Sequence, residues 1–294
     1  MKFITFTLRE LAPALFLIAL LAIPGKALGE NTNRFDAHEA DEYVRLNPKV
    51  AWAYENRGYK FSEMGQYDKA IKDYNEAIRL DPKSAWTYTS RGIAYTNMGK
   101  LDEAITDFNQ AIRLDPKATF AYCQRGSAYS SKGEYGNAIS DFTRYIELQI
   151  SDPCDCAYEK RAYTYSEHGE YDKAITDYTE AIRLNPKNAH AYAGRGVAHR
   201  GKGDLNDAIS DYTEALRLDP KDANTHDQRG YAFAAKSQYD KAIKDYTEAI
   251  RLNSKDVWAY ESRGYAYNRT GEADKATADY LKSHQINAEL GKSK

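Results

Sequence analysis

PKSAWTYTSRGIAYTNMGKLDEAITDFNQAIRLDP, the stretch from residue 82 to residue 116, contains two helical patterns in succession. Gly99 falls between the two patterns and Pro116 follows the second, as expected of a turn and a helix stop. In each pattern, small and aromatic residues recur at i, i+4 and i+7, which places them on one helix face: Tyr88, Gly92 and Tyr95, then Ala104, Phe108 and Ala111. The stretch therefore predicts a helical hairpin.

The same unit is written seven times along the chain of 294 residues. Its copies align on one arginine with a spacing of 34 residues, except for one spacing of 36, and the seven are Arg57, Arg91, Arg125, Arg161, Arg195, Arg229 and Arg263. A period this regular indicates a structural repeat. One hairpin cannot bury its aromatic rings alone, whereas stacked copies can, so we predict a solenoid.

The repeated residues resemble those of the tetratricopeptide repeat (TPR) family from about Phe35 to Ile286. The first copy carries the pattern at Tyr54, Gly58, Phe61, Ala70, Tyr74, Ala77 and Pro82. The resemblance implies an all-α fold, a right-handed superhelix of about seven antiparallel helix-turn-helix repeats. It also implies that the first helices of the repeats line a concave groove that binds peptides or proteins.

The repeats set the boundaries of the chain's segments. Residues 30–48 match only a second helix and are interpreted as an N-terminal capping half-repeat. Residues 289–294 form a polar tail. The seven repeats between these segments span residues 49–82, 83–116, 117–153, 154–186, 187–220, 221–254 and 255–288.

Residues 1–29 have the layout of a secretory signal peptide. Lys2 and Arg9 precede an apolar run from Leu11 to Ile23, and small residues follow it. The run is shorter than the roughly 20 residues that span a bilayer as a helix. We expect cleavage after Gly29, with Ala27 as the second choice, and an exported protein, periplasmic or extracellular, without an integral membrane span. An uncleaved segment that anchors the protein to a membrane is the alternative.

The charge balance argues against nucleic-acid binding. The chain has 41 Lys and Arg residues against 43 Asp and Glu residues, a formal net charge of -2. Nucleic-acid binders normally present a basic face to the phosphates. A protein or a peptide is the expected partner, and a homo-oligomer stays open.

Each repeat arginine is followed 16 residues later by an aspartate. Such a ladder resembles an anion-binding stripe, but both residues fall near the seam between the two helices of the hairpin. We therefore predict structural ion pairs across that seam, such as Arg57 with Asp73, Arg91 with Asp107, and Arg195 with Asp211.

Three cysteines lie in a chain that we expect to enter an oxidising compartment. Cys154 and Cys156 are too close in sequence for an easy disulfide, whereas Cys123 and Cys156 lie on neighbouring first helices. We therefore predict a Cys123–Cys156 disulfide with Cys154 left over. Three unpaired thiols, or a metal site, are the alternatives.

The sequence contains none of the motifs that carry catalysis or cofactor binding. It has no nucleophile elbow, phosphate-binding loop or dinucleotide turn, and its six histidines lack metal-ligand spacing. We therefore predict no catalytic, cofactor-binding or metal site, and a protein that is not an enzyme. A metal site formed by His190, His199 and His226 is the alternative that we consider least favourable.

The family geometry places the partner-binding residues on the first helices. Large aromatic and acidic side chains recur at the slots that line the groove, and we predict that Trp52, Trp86, Phe120, Tyr59, Glu55 and Trp258 contact the partner. The alternative is that the rings only pack between adjacent helices. At the level of function, a structural or self-associating component of an envelope assembly is the alternative to a binding scaffold.

Overall fold

The structure, a computed structural model, describes residues 37–149 and 153–291. Within these residues it contains fifteen α-helices and no strand, which confirms the all-α prediction. The signal peptide predicted for residues 1–29 lies outside the described residues. The helices are α1 (Ala37–Leu46), α2 (Ala51–Glu63), α3 (Tyr67–Leu80), α4 (Ala85–Asn97), α5 (Leu101–Leu114), α6 (Thr119–Ser131), α7 (Tyr135–Leu148), α8 (Asp155–Glu167), α9 (Tyr171–Leu184), α10 (Ala189–Lys202), α11 (Leu205–Leu218), α12 (Ala223–Ala235), α13 (Tyr239–Leu252), α14 (Val257–Thr270) and α15 (Ala273–Gly291).

Short turns join the first and second helices of a repeat, and they require a left-handed backbone. Glycine occupies this position in six repeats, for example Gly203 with φ of 90°. Repeat six instead has Ser237 there, with φ of 58°. Glycine adopts this region without the steric cost that a side chain brings, so Ser237 is a local source of strain.

The two helices of a hairpin approach closely where glycine faces an aromatic ring. A Cβ atom added to Gly196 of α10 would lie 2.7 Å from Cε1 of Tyr212 on α11. Tyr212 is fully buried, and burial raises the pKa of its hydroxyl to about 12. The core therefore alternates large rings on the second helices with glycine and alanine on the first.

The chain forms two compact units, one ending at Ala94 and one beginning at Tyr95. In the first unit, α1 packs against α2 and α2 packs against α3. The α1–α2 contact includes Tyr43 and Trp52, whose ring centroids lie 5.1 Å apart with an interplanar angle of 81°. This edge-to-face packing covers one side of the first repeat.

The second unit stacks its hairpins in two layers. Each second helix contacts the first helix of the next repeat, as α9 contacts α10 and α13 contacts α14. Successive first helices also contact each other, in the order α6, α8, α10, α12 and α14. Within this unit the first helices therefore form one continuous layer.

The repeat arginines form ion pairs across the hairpin seam. Arg57 Nη2 lies 2.7 Å from Asp73 Oδ1 in the first unit, and Arg195 Nη2 lies 2.7 Å from Asp211 Oδ1 in the second. Equivalent pairs occur at Arg125, Arg161, Arg229 and Arg263. Arg91 and Asp107 lie in different units, and their pairing stays a prediction.

The same arginines also bridge consecutive repeats. Arg195 Nη1 donates to Thr179 Oγ1 of the preceding repeat at 3.1 Å, and Arg91 Nη1 donates to Asn75 Oδ1 at 2.6 Å. A guanidinium group has donors in a planar fork, so it can satisfy a carboxylate and a second acceptor together. These donors are used within the repeats, which argues against an anion-binding stripe.

The predicted Cys123–Cys156 disulfide is wrong. The structure joins Cys154 to Cys156, whose Cα atoms lie 5.3 Å apart, and leaves Cys123 free. Cys154 precedes α8 with an extended backbone, so its side chain can reach Cys156 in the first turn of the helix. Cys123 instead packs in an apolar cluster with Phe142 and Ala157.

Candidate functional site

A groove of about 530 Å³ lies on the first-helix layer of the second unit. Three consecutive first helices, α6, α8 and α10, supply most of its lining, together with the start of α12. Tyr163 of α8 stands in it with 53% of its surface exposed. Because the groove crosses consecutive repeats, its length suits an extended segment of chain more than a compact small molecule.

The depth of this groove depends on Gly194. Other repeats have Asn56, Ser90, Gln124, Lys160, Gln228 and Ser262 at the position before the repeat arginine. At Gly194 the missing side chain leaves room for Tyr178, whose hydroxyl oxygen would lie 2.6 Å from an added Cβ atom. The groove therefore has an aromatic floor between α8 and α10, where a larger residue would fill it.

The walls of the groove carry both signs of charge. Glu159 accepts a hydrogen bond from Asn188 Nδ2 at 2.7 Å, and Lys160 Nζ lies 3.5 Å from Ser127 Oγ. Asp222 lines the far end at the start of α12. Serine hydroxyls from α6 line the near end. Such a surface offers donors and acceptors beside apolar area, which is the composition of a peptide-binding groove.

A second cavity, of about 430 Å³, lies between α12 and α14. It is lined by Tyr231, Trp258 and Tyr265, which are 43%, 42% and 51% exposed, and by the buried Tyr246. The Trp258 ring centroid lies 6.2 Å from that of Tyr231 and 5.9 Å from that of Tyr246. Trp258, which sequence reasoning singled out, is therefore part of an aromatic cluster.

The residues predicted to contact the partner differ in their availability. Trp86 of α4 and Phe120 of α6 are 44% and 54% exposed.

Trp52 is half-buried against Tyr43. The Glu55 carboxylate accepts hydrogen bonds from the hydroxyls of Ser84, at 3.0 Å, and Thr87. Tyr59 is half-buried, the Lys60 ammonium lies 5.7 Å from its ring centroid, and burial raises the pKa of its hydroxyl. Trp52, Glu55 and Tyr59 thus take part in packing within the first unit.

The position two residues before the repeat arginine, which is occupied by Glu55 and Glu159 in their repeats, holds an unusually placed acid in repeat six. Asp227 occupies it with 3% exposure, and among the described residues its Oδ1 atom has no hydrogen-bond partner. Glu55 and Glu159 accept hydrogen bonds from a hydroxyl group and an amide group of the next repeat. Asp227 instead faces another acid from the next repeat, Asp256. Burial and the negative charge of Asp256 raise the pKa of Asp227 to about 8.

The three histidines considered for a metal site, His190, His199 and His226, have different surroundings. His190 lines the groove, and His226 lies 3.3 Å from Asp245 and 3.2 Å from the carbonyl oxygen of Pro220. Within the described residues, one group has metal-ligand spacing, with ligand atoms of His199, Asp204 and Asp207 within 4.8 Å of one another. The Lys202 ammonium lies 3.5 Å from Asp204 and already balances part of its charge.

Sequence reasoning missed the groove between α6 and α12. Tyr163, Lys160 and Gly194 line it, whereas the prediction favoured the N-terminal aromatic residues. The signal that was available is Gly194, because it is the one glycine at a repeat position that otherwise carries a polar side chain. None of the helices in the part of the chain that the structure describes combines the length and apolarity needed to cross a membrane.

Models of known protein families match several of the repeats. A family described as TPR repeat matches residues 58–99 and 230–271, and families described as tetratricopeptide repeat match residues 159–223, 85–118 and 121–149. Together these matches cover more than half of the chain. The comparison with curated proteins returned no match.

Solved structures with a similar fold include a tetratricopeptide repeat protein. The MamA protein is 30% identical over 60% of this chain and 96% of its own, with a TM-score of 0.54. A tetratricopeptide repeat protein from Parabacteroides merdae is 20% identical over 86% of this chain and 96% of its own, with a TM-score of 0.63. The APC/C hetero-tetramer Cut9–Hcn1 contains a chain that is 21% identical with a TM-score of 0.62, matching 85% of this chain but only 49% of its own length. The chain described here belongs to the tetratricopeptide repeat family, and its fold is an all-α TPR solenoid.

Proposed function

We propose that the protein is a non-catalytic interaction scaffold that binds an extended peptide segment of a partner along its first helices. The observation that carries this proposal is the groove of about 530 Å³ across α6, α8, α10 and the start of α12. It combines an exposed tyrosine, an aromatic floor and charged walls. Aromatic side chains in such positions supply much of the binding energy of an interface.

The partner segment follows from the chemistry of the groove. Tyr163 and the floor at Tyr178 favour an apolar side chain, while Glu159 and Asp222 favour a basic one. Lys160 offers a donor to a carbonyl or carboxylate group. We propose an apolar segment that also carries basic residues. The exposed rings of Trp86 and Phe120 are further contact points under the same proposal.

The proposal extends to location. Residues 1–29 have the charge and hydropathy layout of a signal peptide, so the scaffold would act outside the cytoplasm. Mass spectrometry of the protein purified from its native host tests this. A mature N-terminus near residue 30 supports export with cleavage, and a retained residue 1 contradicts it.

Selection from a random peptide library on the immobilised full chain tests the binding function. Peptides that bind wild type should lose at least tenfold in affinity with Tyr163→Ser, which removes an exposed ring without disturbing the core. The matched control is Leu281→Ser, which removes an exposed apolar side chain of α15 that lines neither of the two cavities. Trp52→Ala combined with Trp86→Ala tests whether the N-terminal rings contribute.

The outcomes distinguish a peptide-binding scaffold from a self-associating structural component. Loss of binding with Tyr163→Ser and retention with Leu281→Ser supports the groove, whereas equal binding by both variants contradicts it. If no peptide is selected and sedimentation shows concentration-dependent self-association, the protein is a self-associating structural component.

A further inference from the structure

Three exposed rings and one carboxylate meet in the second cavity, and they define what we call the C-terminal cage: Tyr231, Trp258, Glu261 and Tyr265. Trp258 and Tyr265 lie seven residues apart on α14, and Glu261 lies between them on the same face. Tyr231 of α12 faces Trp258, with the two ring planes 31° apart. The side chains of two neighbouring first helices thus surround one volume.

The electrostatic character of the cage is negative. Of the described residues that line it, Glu261 alone carries a charge, and the others are aromatic, alanine or serine. The faces of aromatic rings carry negative potential as well. Glu261 is exposed, and no hydrogen bond or ion pair to its carboxylate is found within the described residues. Rings and carboxylate therefore favour the same kind of ligand, a cation.

The same three residue types occur with the same spacing on α2, at Trp52, Glu55 and Tyr59. On α2, other groups of the protein already contact the carboxylate and the tyrosine ring. Hydroxyl groups donate to the Glu55 carboxylate, and the Lys60 ammonium lies 5.7 Å from the Tyr59 ring centroid. On α14, the equivalent carboxylate has no such donor among the described residues. The C-terminal cage is thus the copy of this arrangement that is open to an external ligand.

The rings of this region already attract a cation of the protein. The Arg200 guanidinium lies 5.3 Å from the Tyr231 ring centroid, within the range of a cation–π contact. Arg200 is not among the residues that line the cavity. It therefore leaves Trp258, Tyr265 and Glu261 available to a cation that enters from solvent.

We propose that the C-terminal cage binds the ammonium group of a lysine side chain on the partner segment. This inference rests on the proposed scaffold function and adds a specificity site to it. The ammonium group would contact the Glu261 carboxylate, and the lysine methylenes would pack against Trp258 and Tyr265. The cavity is large enough for the whole side chain, and its single carboxylate matches one positive charge.

A titration with two small probes tests the cage without knowledge of the partner. The probes are Nα-acetyl-lysine methylamide and Nα-acetyl-norleucine methylamide, which differ in the charged group. The chain has three tryptophans, so the indole N–H signal of Trp258 can be followed by nuclear magnetic resonance and assigned with Trp258→Phe. We expect a saturable shift with the lysine probe at concentrations roughly fivefold below those needed for norleucine.

Two charge-neutralising variants of the full chain complete the test. Glu261→Gln should weaken lysine binding by roughly five- to tenfold and leave norleucine binding unchanged. Glu289→Gln is the matched control, because it removes one exposed carboxylate from α15 outside the cage. Equal binding of the two probes, no shift with either, or no effect of Glu261→Gln would each overturn the proposal. Tighter binding of choline than of the lysine probe would also overturn it, in favour of a quaternary ammonium ligand.

Failure of this inference is distinguishable from failure of the scaffold function. Tyr163→Ser in the groove should leave binding of the lysine probe unchanged, because it alters a separate cavity. If library peptides bind but the lysine probe does not, the cage proposal fails and the scaffold stands. If the probe binds and no peptide does, the scaffold function fails, and the cage is then a site for a free organic cation, which contradicts the assignment to a partner lysine.

Discussion

Replacing Asp227 by asparagine should stabilise the protein near neutral pH and have little effect in acid. Asp227 is 3% exposed, and burial, followed by the charge of Asp256, raises its pKa to about 8. The negative charges of Asp245 and Asp222 act in the same direction. In the unfolded chain the pKa of an aspartate is about 3.9. Because the folded protein holds this proton more tightly, its stability is complete below about pH 4 and falls as pH rises through about 8.

The magnitude follows from the difference between the two pKa values. Each pH unit between them costs about 1.36 kcal/mol in the free energy of unfolding, so the wild type loses on the order of 4 kcal/mol between pH 4 and pH 7. Asparagine has the same shape and needs no proton. Its amide can donate to Asp256, as the Asn188 amide donates to Glu159 at 2.7 Å. The variant should therefore gain a similar amount at pH 7 and almost nothing at pH 4.

Urea unfolding between pH 4 and pH 8 measures this difference in the free energy of unfolding. Because repeats unfold partly independently, hydrogen exchange of the backbone amides in α12 to α14 reports on the stability of the repeats around Asp227. Asp211→Asn is the matched control. It makes the same chemical change, but here the two carboxylate oxygens accept from Arg195 Nε at 3.0 Å and from Arg195 Nη2 at 2.7 Å. An amide keeps only one of these acceptors and carries no negative charge, so Asp211→Asn should destabilise. Identical pH slopes for wild type and Asp227→Asn, or a less stable variant at pH 7, would refute the reasoning.

Three further predictions follow from the helix contacts, the turns and the cysteines. Ser237→Gly should stabilise by about 1 kcal/mol, because the left-handed backbone at φ of 58° suits glycine, and the reverse change Gly271→Ser should destabilise; thermal unfolding measures both. Gly196→Ala should destabilise by about 1–3 kcal/mol in urea unfolding, because the new methyl group would lie 2.7 Å from the Tyr212 ring, whereas Gly136→Ala, which has open space around it, should not. Iodoacetamide should label no cysteine of the native, unreduced protein, because Cys154 and Cys156 are bonded and burial raises the pKa of the Cys123 thiol; labelling of Cys156 by mass spectrometry would contradict the observed pairing.

Much of the fold was accessible from the sequence because its determinants are local and repeated. The spacing of Tyr88, Gly92 and Tyr95 defines a helix face by itself, and seven copies of it leave few alternatives to stacked hairpins. The arginine and aspartate placed 16 residues apart also follow from hairpin geometry, and Arg195 meets Asp211 at 2.7 Å. Such contacts depend on the period of the repeat and on little else.

The binding surfaces depend on which residues face each other across neighbouring helices, and this only the tertiary structure decided. Trp52 and Trp258 occupy the same repeat position, yet Trp52 packs against Tyr43 while Trp258 lines an open cavity. Cys123 and Cys156 lie on neighbouring first helices, but Cys123 packs against Phe142, whereas Cys156 bonds Cys154 two residues before it. Periodicity specifies a helix face, whereas the exposure of one side chain depends on the volume and charge of neighbours from other repeats. The sequence by itself thus determined the repeated hairpin, and long-range packing determined where the protein is open to a ligand.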